Sequence, residues 1–174
     1  MKIKNLLLDY AIFILIGIAY FPLLALIIAA HVIDYRILKK IHVQKKEWGL
    51  NICCGNTDGG GVNADVVKRE VPNFTLIKNV YKLPFKDKEF ENVLSSHTIE
   101  HLEKPGEFYK ELKRVGENVT ILVPPIWDLL GWLAFREHKW QFLTLKTRHE
   151  NKLPKKIRLP YWKIQKKIGQ EIRC

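Results

Sequence analysis

Trp48-Gly-Leu-Asn-Ile-Cys-Cys-Gly-Asn-Thr-Asp-Gly-Gly-Gly61 sets a short apolar run against a loop rich in residues that accept positive φ. The pattern reads as a strand that empties into a loop. Further short strands are predicted at residues 62–65, 74–77, 91–95 and 119–123. Between the last two, residues 105–115 place Phe108, Leu112 and Val115 at helical spacing with charges between them, which predicts an amphipathic helix. Strands joined by helices imply an α/β fold: a reduced, Rossmann-like three-layer sandwich around a mainly parallel sheet. Ligands of such sheets bind outside the carboxyl ends of the strands, so the glycine loop is placed for binding.

Upstream, residues 11–30 read AIFILIGIAYFPLLALIIAA, without a charge. At ~1.5 Å rise per residue this stretch spans ~30 Å, the thickness of bilayer hydrocarbon. Its Ile, Leu and Phe residues together favour insertion by roughly 5 kcal/mol. Pro22 can kink the helix without breaking it. The run is too long for the apolar part of a signal peptide, and core helices seldom stay apolar all round for so long. One transmembrane helix therefore precedes the α/β domain. Lys2 and Lys4 lie before the span and Arg36, Lys39, Lys40, Lys45 and Lys46 after it, which predicts a single-pass cell-membrane protein with its C-terminal domain in the cytoplasm.

The expected organisation is a transmembrane anchor at 1–34, a basic juxtamembrane linker at 35–47, an α/β core at 48–135 and a basic C-terminal tail at 136–174. Net charge is +3 over residues 31–47, +9 over 136–174 and −2 over 48–135. On a tethered domain such a tail points to anionic lipid head groups, with nucleic acid the weaker alternative. Three cysteines, an odd number, close no disulfide framework and suit a reducing compartment.

The glycine loop lacks the Gly-Lys-Ser/Thr that grips nucleotide phosphates and the spacing of a dinucleotide fingerprint. Asp65, ten residues after Gly55 at a strand end, is placed to accept hydrogen bonds from two ribose hydroxyls. Glycine plus a ribose-binding acid suggests a nucleoside ligand.

From about Trp48 to Pro125 the order of motifs resembles the class I S-adenosylmethionine-dependent methyltransferases of the small-molecule type. Leu50-Asn-Ile-Cys-Cys-Gly55 resembles their first motif, Val62-Asn-Ala-Asp65 their acidic ribose position, and Leu83-Pro-Phe with Phe90-Glu-Asn-Val93 their entry to the fourth strand. Ser96-His-Thr-Ile-Glu-His-Leu102 is similar to their serine-histidine, glutamate-histidine signature. The resemblance implies S-adenosylmethionine held by Asn51, Gly55, Asp65, Asn79, Val80 and Ser96, with His97 as the candidate proton acceptor. Four positions depart from the pattern: Asn51 stands for an acid, Cys53 for glycine, and Asn79 and Glu91 for aspartate. These departures, and the lack of a visible closing strand pair, support the alternative of a binding or regulatory protein that keeps the fold without catalysis.

His97-Thr-Ile-Glu-His101 also fits a zinc-peptidase spacing on a helix, which needs a third ligand. The downstream candidates His138, His149 and Glu150 lie in the basic tail without an evident scaffold, so no metal site is assigned. Glu100 and His101 are expected to start the next helix. Residues 126–135, with two tryptophans, can line a membrane interface, and Trp140, Phe142 and Trp162 extend that pattern. In the resembling family this region borders the acceptor pocket, which implies a lipid-like or other membrane-soluble acceptor.

Overall fold

The computed structural model describes residues 2–45, 47–134, 136–161 and 164–165; Lys46, Phe135, Trp162 and Cys174 lie outside them. Helix α1 (Lys2–Val32) contains Pro22 and runs through a π-helical turn (Ile33–Leu38) into α2 (Lys39–Val43). The stretch Ile14–Val43 is long and apolar enough to cross a membrane, with mean hydropathy 2.3 in its most apolar window and none of that window buried. Ile14, Leu15, Ile18, Phe21 and Leu26 all stand exposed, as a lipid-facing surface requires.

The domain behind it is Rossmann-like. Strands β1 (Trp48–Ile52), β2 (Gly60–Asp65), β3 (Phe74–Leu76), β4 (Phe90–Ser96) and β5 (Gly116–Leu122) are mutually parallel. With β7 (Arg148–Glu150) they form one sheet in the order β3-β2-β1-β4-β5-β7. Helix α3 (Pro105–Val115) links β4 to β5 and buries Phe108, Leu112 and Val115 against Leu50, Val93, Val119 and Ile121. The amphipathic spacing thus does what it predicts. On the opposite face Val43 of α2 packs with Trp48, Leu94 and Leu122, and the Trp48 indole donates to the His42 carbonyl at 3.2 Å. The end of the long helix therefore covers one side of the sheet.

Among the five parallel strands a helix joins only β4 to β5; the links at 53–59, 66–73 and 77–89 carry none, contrary to the expected alternation. The first link runs back along the sheet, where the Trp48 N–H donates to the Gly59 carbonyl. A Cβ on Gly59 would sit 2.6 Å from the Asn51 Cβ, and one on Gly61 2.5 Å from the Gly49 carbonyl oxygen. Both glycines thus let the returning chain lie against β1.

A second correction concerns the C-terminal segment. β7 pairs antiparallel with β5 and closes the sheet, clasped by Asn151, whose side chain accepts the Val119 N–H at 2.9 Å. Arg148-His149-Glu150 has no apolar alternation, so its pairing leaves no trace in the pattern. A short helix α4 (Leu129–Leu133) follows β5, and β6 (Trp140–Phe142) pairs with β8 (Lys156–Arg158) beside the main sheet.

Candidate functional site

The carboxyl edge of the sheet holds the sequence-predicted residues in two groups. Around β1 and β2, the Gly55 N–H donates to Asp65 Oδ2 at 3.0 Å, while Asp65 also accepts from the Val67 N–H at 3.0 Å and from Arg69 Nε at 3.3 Å. Asp65 is at the strand end its spacing predicts, yet its buried carboxylate is already bound by three donors of the chain. A ribose diol would have to take the place of one of them.

Asn51 is also engaged: its amide donates to the Thr57 carbonyl and to Asn63 Oδ1, both at 3.0 Å, tying the returning loop to the sheet. Gly55 has left-handed φ (+54°) and open space where a Cβ would go. Cys53, at the position where the resembling family has glycine, also has a positive φ of 54°. Cys54 is a buried thiol pushed up to about 11, first by burial and then by the Asp65 charge, and is no nucleophile at neutral pH. Asn79 Oδ1 accepts the Tyr81 N–H at 2.8 Å, and the Val80 side chain is buried in the core.

The second group gathers after β4. Ser96 ends that strand with a buried hydroxyl that has no hydrogen-bond partner among the described residues. His97 follows with φ 49°, its Nδ1 3.5 Å from Glu100 Oε1 and its Nε2 4.0 Å from Asp34 Oδ2. Glu100 and His101 do not start a helix. They lie in a turn closed by the His101 N–H on the Thr98 carbonyl, and α3 begins only at Pro105, whose missing N–H suits a first turn.

The long helix reaches this group. His31 Nδ1 is 3.0 Å from Asp128 Oδ2, Tyr35 packs edge-on against His97 with ring centroids 5.1 Å apart, and the Thr147 hydroxyl donates to the buried Asp34. A cavity of about 280 Å³ lies here, lined by His31, Tyr35, His97, Glu100, Asp128 and His138 among others. Of the sequence-predicted site residues only His97 lines it.

His138 was left without a scaffold by its basic surroundings. The fold supplies one: the Lys139 and Trp140 N–H groups both donate to the Glu100 carbonyl, and the Trp140 indole donates to the Leu102 carbonyl at 2.9 Å. His149 lies on β7, where its Nε2 is 3.1 Å from the Thr144 hydroxyl and 2.9 Å from the Lys146 carbonyl. Burial alone would raise the Glu100 carboxyl, but the imidazoles of His97, His101 and His138 hold it below the usual carboxylate range. Burial lowers His138 and so favours its neutral ring.

Three solved structures align with part of the chain. A SAM-dependent methyltransferase from Aquifex aeolicus is 17% identical, with 54% of this chain and 66% of that one covered and a TM-score of 0.39. The YcgJ protein from Bacillus subtilis is 14% identical (56% and 58% covered, TM-score 0.42), and a SAM-dependent methyltransferase from Thermotoga maritima 16% identical (62% and 61%, TM-score 0.41). The chain thus spans 58–66% of the length of these three. No curated protein is similar enough to match. Residues 47–123, from the residue before β1 to the one after β5, match the family model described as a methyltransferase domain.

Proposed function

We propose that the chain is an S-adenosylmethionine-dependent methyltransferase, anchored in the cell membrane by α1, that acts on an acceptor at or near the bilayer. The match of residues 47–123 to a methyltransferase domain carries this reading. Gly55, Asp65, Asn79 and Ser96 at the carboxyl edge would hold the cofactor, which when bound would supply an electrophilic methyl group for transfer to the acceptor. Little covalent help is needed from the protein, whose main task is to hold the partners in line. Gly55 offers open backbone for the approach, and Asp65 offers the ribose acceptor once Arg69 yields its place.

His97 is the group placed to take the acceptor's proton, since it lines the cavity beneath the helix end. Because Arg36, Lys39 and Lys40 continue the helix directly onto the sheet, the cytoplasmic domain works against the head groups, which favours a lipid-like acceptor. A specific observation favours the second reading, a fold retained for binding or regulation: the chain's own hydrogen bonds already occupy Asn51 and Asp65.

Calorimetry on the full chain in nanodiscs, with S-adenosylmethionine and S-adenosylhomocysteine, tests both. Binding of each, followed by methyl incorporation into a membrane extract, is the expected result. Failure of both to bind sinks the first reading, and binding without transfer supports the second. His97→Gln should lower turnover at least 10-fold with cofactor affinity unchanged; equal turnover removes His97 from the mechanism.

A further inference from the structure

Glu100 is fully buried, and neither of its carboxylate oxygens has a hydrogen-bond partner among the described residues. A buried anion left in that state is costly unless a cation or strong donor meets it. Three imidazoles stand around it: His97, whose Nδ1 is 3.5 Å from Oε1, and those of His101 and His138. One donor atom from each of Glu100, His101 and His138 lies within 4.8 Å of the others, and His101 Nε2 is 3.9 Å from Glu100 Oε1.

The His101 imidazole is held as metal-bound imidazoles are, by a backbone carbonyl on its far nitrogen. His101 Nδ1 lies 3.1 Å from the Glu137 carbonyl oxygen. A carbonyl only accepts, so Nδ1 carries a proton, and in the neutral ring Nε2 is left with its lone pair on the side of Glu100. The buried Nδ1 of His138 has no hydrogen-bond partner among the described residues. The two rings meet edge to face with centroids 4.8 Å apart, so both lone pairs can point into the space between them and the carboxylate.

We propose that Glu100, His101 and His138 form a binding site for a zinc-class divalent transition metal. Two imidazoles and one carboxylate suit such an ion, and three protein ligands leave a fourth position for water or a substrate oxygen. With bonds of ~2.0–2.1 Å, tetrahedral donors stand about 3.3 Å apart, so small side-chain rotations close the site. The fourth position opens on the 280 Å³ cavity where His31 and Asp128 meet. None of the three ligands is among the residues assigned to the cofactor, although His97, 3.5 Å from Glu100, lines the same cavity.

The test uses the untagged full chain in nanodiscs of zwitterionic lipid, stripped with chelator and titrated with Co²⁺ and then Zn²⁺. One Co²⁺ per chain is expected, with the intense visible bands of four-coordinate cobalt, displaced by Zn²⁺. His138→Ala and Glu100→Gln should each weaken binding at least 10-fold, whereas His149→Ala, outside the cluster, should not. If His138→Ala fails to fold, His138→Asp, which keeps a ligand, should retain the bands. A wild-type chain with no cobalt bands at a tenfold excess of metal overturns the proposal, as does binding that survives the His101→Ala, His138→Ala double substitution.

Discussion

The two halves of the sheet's carboxyl edge treat their buried polar groups in opposite ways. Beside β1 and β2, Asp65 is met by three donors, and Asn63 accepts from Gly59 and Asn51 while donating to Asp58 and the Pro72 carbonyl. Beside β4 the hydroxyl of Ser96, both oxygens of Glu100, Nε2 of His97 and Nδ1 of His138 are buried without partners among the described residues. Native interiors rarely leave such groups unmet, and ordered water, an ion or a catalytic role accounts for the exceptions. The first half is a finished piece of structure that a nucleoside must enter by displacement. The second leaves its polar groups free to meet water, an ion or a substrate.

The sharpest way to break this comparison is Asn63→Ala. It removes the acceptor for the Gly59 N–H and loosens the returning loop, and it should cost about 3 kcal/mol in thermal or denaturant unfolding. A cost under about 1 kcal/mol would mean that the closed half is not held by this network.

Glu111, on α3 and away from both groups, is a reference of intermediate size. It accepts from Arg114 and from the Leu83 N–H at 2.7 Å, and Arg114, followed by that N–H, holds its carboxyl below the usual range although burial opposes this. Glu111→Gln should cost about 1.5 kcal/mol at neutral pH. Because the folded-state value is depressed, this stability is present above the unfolded carboxyl pKa and is lost as pH falls through the folded one. Unfolding followed across acid pH should therefore slope less in the variant, and parallel slopes would show that the pair contributes nothing.

The smallest effect is expected on the open half. Ser96→Ala deletes a buried hydroxyl that has no partner, so stability should change by less than about 1 kcal/mol, in the favourable direction. A loss as large as that of Asn63→Ala would erase the distinction between the halves.

Much of the fold is legible along the chain. All five parallel strands, α3 with its buried face and the apolar span follow from periodicity and length, which are local properties. Residues 53–59 are less transparent, because a glycine run permits either a ligand or another strand to approach. Only the register of β1 on β2 decides that Gly59 and Gly61 serve the second purpose. The same holds for Asp65, whose spacing places it at a strand end but cannot say whether Arg69 turns back to meet it.

By itself the sequence determined the α/β class, the order of the strands along the chain, the span and its positively charged flank. Tertiary structure alone decided which side chains share a site. It brought His138 beside Glu100 and His101 through two backbone hydrogen bonds from residues 139 and 140, and it set Asp34 and Tyr35 of the long helix against His97. The physical reason is that periodicity reports which face of an element is buried, whereas a site depends on contacts across many residues of chain. Such contacts are fixed by packing and leave no local pattern.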